Sequence, residues 1–393
     1  MAKRYTDEYD EDEVRPRKKS SGKSGSSSRK KSTGRKKAGK KAQARKQRRR
    51  IILFVCEIVV LLIAVVVLYA VLVGTGGSGK MVIEENDIII NDTVLEAQEA
   101  QEAQGTSYRN IALFGVDSTT GALTKNTRSD TIMIASINEE TGECKLVSVY
   151  RDTYLNLSND SYNKCNAAYA KGGPKQAINM LNMNLDMDIT DFVTVGFAGL
   201  TDAIDALGGV MIDVDDSEIS HLNNYQLCIA EDLKRSYTPV KETGYQLLDG
   251  LQATGYCRIR YTAGDDFKRA ERQREVLLAV ADQAKKANLT TLTETANNVF
   301  DEVYTSLDLS EIVDMLGNVS KYRITDHSGF PQEGMRDTGT IGSKGSCVVP
   351  LSLEENVKWL HKFLYGVDDY EPSSTVKECS EKIYEDTNGY LNK

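Results

Sequence analysis

The chain has 393 residues and a formal net charge of −8, enough for one large or two ordinary domains. Residues 1–50 hold 20 Lys+Arg against 6 Asp+Glu; by difference from totals of 49 and 57, the other 343 hold 29 against 51. No Cys-x-x-Cys or Cys/His cluster occurs among the seven cysteines and three histidines, which argues against a zinc site. No nucleophile motif stands beside His221, His327 or His361, which argues against Ser-His or Cys-His catalysis.

Residues 1–50 are polar, basic and of low complexity, a composition that predicts disorder. A polybasic arm can bind nucleic acid by counterion release, but no folded DNA-binding module accompanies this one. It reads instead as a topology signal lying on anionic inner-leaflet lipid, and no nucleic-acid partner is expected. Ile51–Val73 is a 23-residue run interrupted only by Glu57, long enough for one transmembrane helix and a poor fit to a cleaved signal peptide. Arg45, Lys46, Arg48, Arg49 and Arg50 precede it and only Lys80 follows closely, which predicts a cytoplasmic N-terminus and an extracellular remainder. Glu57, roughly 9 Å into the span, reads as an interfacial carboxylate.

Residues 74–107 read as an extracellular stalk: GTGGSGK is flexible, IEENDIIIND allows a short strand, and LEAQEAQEAQ favours a helix. A single folded domain is expected over 108–393. NIALFGV, TIMIASIN and CKLVSVY read as strands, the last two joined by the turn EETGE. Helical patterns follow over 164–171 and 174–185, then the strand DFVTVGF, the helix AGLTDAIDALGG and the strand VMIDV. In that helix Leu200, Ile204 and Leu207 share one face and read as core. From Asp249 come a helix, a strand-like CRIRY and a long helix from Asp266 to about 287. Ser352-Leu-Glu-Glu355 reads as a capping box opening a helix closed by Gly366, with His361 as a packing residue. Strands alternating with helices predict α/β layers with the sheet in the middle. The six exported cysteines permit disulfides. Cys228, in an expected loop, and Cys257, before the RIR segment, are either bridged or free.

Five arginines lie between Arg258 and Arg274 in CRIRYTAGDDFKRAERQR. Guanidinium forks in an acidic background point to a phosphate-rich ligand. Asp117 follows the first strand, Arg128 and Asp130 open the second, and Arg151 follows the third. Adjacent strands would bring them to one sheet edge, where ligands of open α/β sheets bind. Asp266, Arg269 and Gln273 share a polar helix face. Two carboxylates holding Mg²⁺ among several arginines suit a pyrophosphate. Each element alone has a plainer reading, as a salt bridge or a solvated helix face.

NIALFGVDS, RSDTIMIASIN, LVSVYRDT, NKCNAAYAKGGP, DALGGV and LDGLQATGYCRIRYTAGDDFKRAERQR occur in this order over roughly 108–290. They resemble the successive signature blocks of the LytR–CpsA–Psr family. The resemblance implies an extracellular α/β/α domain with a central mixed sheet behind one transmembrane helix. It also implies a phosphotransferase that moves a glycopolymer, such as teichoic acid or capsule, from undecaprenyl pyrophosphate to the C6 hydroxyl of peptidoglycan N-acetylmuramic acid. Carried over, Asp117 and Asp130 coordinate Mg²⁺, and Arg128, Arg151, Arg258, Arg260 and Arg269 contact the pyrophosphate. Asp266, Gln273 and Lys164 complete the substrate-binding set. Cys257, Tyr150 and the AGDDF loop depart from the family pattern without removing a charged group. A membrane-attached regulator and a pyrophosphohydrolase are the competing readings.

Overall fold

The computed structural model describes residues 87–103, 106–118, 123–124, 126–260, 265–287, 303–307 and 323–391. The basic tail, the apolar run Ile51–Val73 and the first part of the stalk lie outside the described residues. The remainder of the stalk carries helix α1 (Asp92–Ala103). No strand forms over its preceding residues 87–91. Instead Ile88 packs on the main core, and Asn91 donates to Asp186 Oδ1 at 2.5 Å.

The sheet is built on β1 (Tyr108–Val116), whose near-continuous apolar run suits a strand covered on both faces. β2 (Ser129–Asn138) pairs antiparallel with it and with β3 (Glu143–Val149). The expected turn between β2 and β3 forms, with Gly142 at φ 72° and Asn138 Oδ1 accepting from the Glu140 and Thr141 amides. A small ribbon, β4 (Tyr154–Asn156) and β5 (Tyr162–Lys164), follows. The two helical patterns beyond it are one element, α2 (Asn166–Leu185), kinked at Gly173 (φ 69°, ψ −160°) before Pro174. A Cβ at Gly173 would stand 2.4 Å from the Thr124 carbonyl. Lys164 therefore lies on β5, not on a helix.

β6 (Asp191–Val195) runs parallel to β1 and stops before the helix α3 (Phe197–Ala206). β7 (Val210–Val214), α4 (Asp216–Leu233), β8 (Gly244–Leu248), α5 (Gly250–Cys257) and α6 (Asp265–Lys286) follow. The strand expected at CRIRY does not form over its described residues, Cys257–Arg260. The Asp249/Gln252 capping box starts α5, which runs through Cys257 with Arg258 as its helical-region cap. Cys228 lies on α4, exposed, rather than in a loop, whereas Cys257 is buried; the six described cysteines are free thiols.

β9 (Val303–Thr305) and β10 (Arg323–Phe330) complete a mixed sheet ordered β10-β3-β2-β1-β6-β9 among the described residues. The ribbon of β11 (Arg336–Thr340) and β12 (Ser346–Pro350) leads to α7 (Leu353–Tyr365) and α8 (Ser374–Thr387). Ser352 Oγ accepts from the Glu355 amide, one half of the expected capping box, while the Glu355 carboxylate pairs with Lys358 at 2.8 Å; Gly366 ends α7 at φ 74°, as its sequence predicts.

Side chains alternate across the sheet. Ala112, Phe114, Ile132 and Ile134 enter a core completed by α2, α7 and α8. Leu113, Met133 and Val193 point to the other face, towards α3 and α6. His361 packs as expected: it is buried, stacks on Tyr370 at 3.6 Å between ring centroids, and its Nε2 donates to the Leu185 carbonyl at 3.0 Å.

Gly250 is where α3 and α5 touch. Its amide donates to Asp205 Oδ1 at 2.6 Å, and a Cβ there would lie 2.1 Å from the Thr201 carbonyl. Gly250→Ala is expected to destabilise the domain by ~2–3 kcal/mol through overpacking. Gly366→Ala, with open space around it, should cost ~1–2 kcal/mol from its left-handed backbone alone; urea midpoints of both variants check the order. Burial takes the His361 imidazole down to about 4. An unfolded chain takes up that proton near pH 6.5 and the folded one does not until about 4. The stability it confers is therefore present above pH 6.5 and lost as pH falls through this window, at up to about 1.4 kcal/mol per pH unit. His361→Gln, which keeps a donor, should flatten the fall in urea midpoint between pH 6.5 and 4.

Candidate active site

Because β1, β2 and β3 pair antiparallel in sequence, Asp117 after β1, Arg128 and Asp130 around the start of β2, and Arg151 after β3 reach one end of the sheet. Arg269 and Gln273 on α6 and Arg258 and Arg260 beyond α5 meet them there. All eight line one cavity of about 520 Å³. Its body is apolar and runs between the sheet's second face and two helices, with Leu113 and Met133 on one side and Leu200, Ala203, Val276 and Val280 on the other. Leu200 thus faces the cavity, whereas Ile204 and Leu207 belong to the core, as expected of a packing stripe. Polar groups gather at the sheet end.

Carboxylates interleave these guanidiniums. Arg151 Nη1 donates to Asp130 Oδ1 at 2.6 Å, and its Nε stands 3.8 Å from Asp152 and 3.9 Å from Asp266. Asp266 Oδ1 is also 3.4 Å from Arg260 Nε and 3.2 Å from Arg269 Nη2. It is not on the cavity wall but lines a small adjoining pocket with Asp152 and Ala270. Lys164 is not on the wall; it pairs with Asp152 at 3.4 Å. Burial opposes the charge on Arg151, but Asp130 and Asp152 outweigh it and hold the guanidinium above its ordinary value. Arg269 is pushed below its ordinary value by burial and then by Arg151. Burial lifts Asp152 above the usual carboxylate range against the pull of Arg151 and Lys164. Arg151 Nε, Arg260 Nη2 and Arg269 Nε are buried donors without a hydrogen-bond acceptor. Buried donors of that kind are costly, and phosphate oxygens would satisfy them.

Aromatic contacts that the sequence did not reveal orient two of these segments. The Arg258 guanidinium lies 4.4 Å from the Phe197 ring centroid and 5.3 Å from that of Tyr225. Tyr150, next to Arg151, meets Phe267, next to Asp266, edge-on at 4.7 Å. The Arg336 guanidinium stands 4.1 Å from Phe267 and 5.0 Å from Tyr150. Phe197, Tyr225 and Arg336 are distant in sequence from the residues they orient, so no local pattern could have found them. Arg272 and Arg274, which a solvated helix face would expose, are buried.

Asp117 is exposed and Asp130 half-buried at the cavity mouth. Among the described residues no group of three or more His, Cys, Asp or Glu forms a metal cage. In donor chemistry, two hard carboxylates lining the same cavity as the arginines suit Mg²⁺, which commonly takes one or two carboxylates and shares its remaining positions with water and substrate phosphates.

Asp266→Asn removes the acid shared by Arg151, Arg260 and Arg269 and should lower the melting temperature. A bound anion would supply the missing charge, so saturating pyrophosphate should raise the variant's melting temperature more than the wild type's. Equal shifts would separate Asp266 from the anion site.

The LytR_cpsA_psr family model matches residues 78–351. The polyisoprenyl-teichoic acid–peptidoglycan teichoic acid transferase TagU of Enterococcus faecalis is 28% identical over 236 residues, 58% of this chain and 72% of that protein. Biofilm regulatory protein A of Streptococcus mutans is 33% identical over 184 residues, 44% of this chain and 43% of that protein. The solved structure of TagT bound to LI-WTA aligns with a TM-score of 0.52 and 24% identity, over 67% of this chain and 92% of that one; it attests the fold. The family match covers most of the chain, and the protein belongs to the LytR_cpsA_psr family.

Proposed function

We propose that this protein is a membrane-anchored, Mg²⁺-dependent phosphotransferase that moves a glycopolymer from an undecaprenyl-pyrophosphate carrier to peptidoglycan. The observation that carries the reading is one cavity with two chemistries. An apolar body suited to a polyprenyl chain opens at a mouth where Arg128, Arg151, Arg258, Arg260 and Arg269 gather beside Asp117 and Asp130. The relative from Enterococcus faecalis, whose name includes a polyisoprenyl-linked teichoic acid and peptidoglycan, supports the same reading. A purely regulatory protein has no need of such a pocket.

In this reading the prenyl chain enters the cavity and the diphosphate lies at its mouth. The C6 hydroxyl of an N-acetylmuramic acid residue attacks the phosphorus attached to the glycopolymer. A new P–O bond forms, the bond to the bridging diphosphate oxygen breaks, undecaprenyl phosphate leaves and the hydroxyl proton is released. Asp117 and Asp130 would hold Mg²⁺, which neutralises charge on the phosphate oxygens when bound. Arg151, Arg260 and Arg269 direct donors at oxygens whose charge grows as the bond breaks. Arg258 stands where the apolar wall meets the diphosphate. The run Ile51–Val73 with its basic flank supports an anchor in the cell membrane with the catalytic domain outside.

The test is incubation of the protein with a lipid-pyrophosphate glycan, peptidoglycan oligomers and Mg²⁺, followed by mass spectrometry. A glycan–peptidoglycan phosphodiester is the expected product; release of a free glycan phosphate instead would indicate hydrolysis. Asp117→Ala and Asp130→Ala should each reduce transfer by a factor of about 100 or more and weaken Mg²⁺ dependence. Near wild-type activity with unaltered Mg²⁺ dependence in either variant would remove the two-carboxylate metal site.

A further inference from the structure

Arg272 belongs to the arginine-rich stretch that the sequence ties to phosphate, yet it does not line the cavity and is only 1% exposed. Its Nε donates to Glu218 Oε1 at 2.7 Å, and its Nη1 donates to the backbone carbonyl of Ile259 at 3.2 Å. Glu218 is held in turn: it is 3% exposed, and its Oε2 accepts from the Asp215 amide in the capping box of α4. Ile259, with its side chain fully buried, separates Arg258 from Arg260, both of which reach the cavity. One guanidinium therefore ties α6, the start of α4 and the backbone between two cavity-facing arginines.

The constraint acts where regular structure ends. α5 stops at Cys257, and the last helical-type bonds run from the Arg258 amide to Gly255 and from the Ile259 amide to Tyr256. Beyond them, Arg272 Nη1 anchors the Ile259 carbonyl. A rotation there would swing Arg258 out from between Phe197 and Tyr225 and draw Arg260 away from Asp266. We propose that Arg272, with Glu218, is a positioning residue that fixes the backbone at Ile259 so that Arg258 and Arg260 present their guanidiniums together to the donor diphosphate. The proposal rests on the transferase reading above.

Stability and positioning can be separated, because a buried ion pair replaced as a unit by apolar side chains often leaves a protein equally stable. The Arg272→Met/Glu218→Leu double variant removes both charges and leaves the Ile259 carbonyl without Arg272. Arg272→Lys keeps a cation for Glu218 but loses the planar fork that spans two acceptors. Both would be made in the full-length protein in detergent. Melting temperature, calorimetric binding of a polyprenyl pyrophosphate, KM for the donor and the Mg²⁺ dependence of transfer would be measured.

The proposal expects folded variants whose lipid dissociation constant and donor KM rise at least about tenfold, with Mg²⁺ dependence unchanged because Asp117 and Asp130 lie on other segments. Wild-type affinity and KM in a folded variant would overturn it, as would an equal shift in Mg²⁺ dependence. Unfolding of both variants would assign the pair to stability alone and overturn it as well. Failure of the wild type to bind the lipid or transfer the glycan would instead defeat the underlying functional reading, so the two failures are distinguishable.

Discussion

The site depends on holding guanidiniums close together with too few acids to neutralise them. Arg151, Arg260 and Arg269 converge on one oxygen of Asp266, at 3.9, 3.4 and 3.2 Å. Guanidiniums gathered around one carboxylate in this way are tolerable in a partly dry environment only because the shared acid lies among them. Asp130 and Asp152 extend the arrangement on either side of Arg151. In the resulting lattice Arg151 Nε, Arg260 Nη2 and Arg269 Nε lack hydrogen-bond acceptors while Asp266 Oδ1 lacks a hydrogen-bond donor, and the unsatisfied N–H groups are the physical basis for reading the mouth as an oxyanion site.

That charge imbalance adjoins an opening in the hydrophobic packing. The first face of the sheet is filled by α2, α7 and α8, with Phe192, Tyr169 and Leu181 fully buried. On the second face, Leu113, Met133 and Val193 meet α3 and α6 across a cavity of about 520 Å³. Protein interiors are ordinarily packed without such spaces, and an apolar cavity forgoes contacts that a guest chain can restore. The lipid-binding and phosphate-binding parts of the proposed site therefore follow from one architectural fact: among the described residues the second layer of helices does not close on the sheet.

The charged groups need orientation as well as proximity, and distant residues provide it. Phe197 and Tyr225 flank Arg258; Tyr150, Phe267 and Arg336 form a cluster beside Arg151 and Asp266. A cation over an aromatic face retains its N–H edges for other acceptors, so an aromatic clamp fixes a guanidinium without occupying the donors that a phosphate would use. Tyr150 fits closely enough that a Cβ on Gly329 would stand 2.0 Å from its hydroxyl. A position that departs from the family pattern is thus filled by a ring that packs.

The sequence by itself determined most of the local structure. Apolar runs marked β1, β2 and β3, the Ser352 cap and Gly366 marked α7, and antiparallel neighbours implied that Asp117, Asp130 and Arg151 would share an edge. The i, i+3, i+7 spacing placed Asp266, Arg269 and Gln273 on one side of α6. Local periodicity is carried by consecutive residues, which is why these features were legible. Only the tertiary structure decided that CRIRY ends a helix, because the strand-like alternation of Arg258, Ile259 and Arg260 is also satisfied by an irregular segment with one buried residue. It alone separated Arg260 and Arg269, which face the cavity, from Arg272, which faces Glu218. Arginines are identical as letters; burial and partners make them different, and both are set by segments far away in the chain.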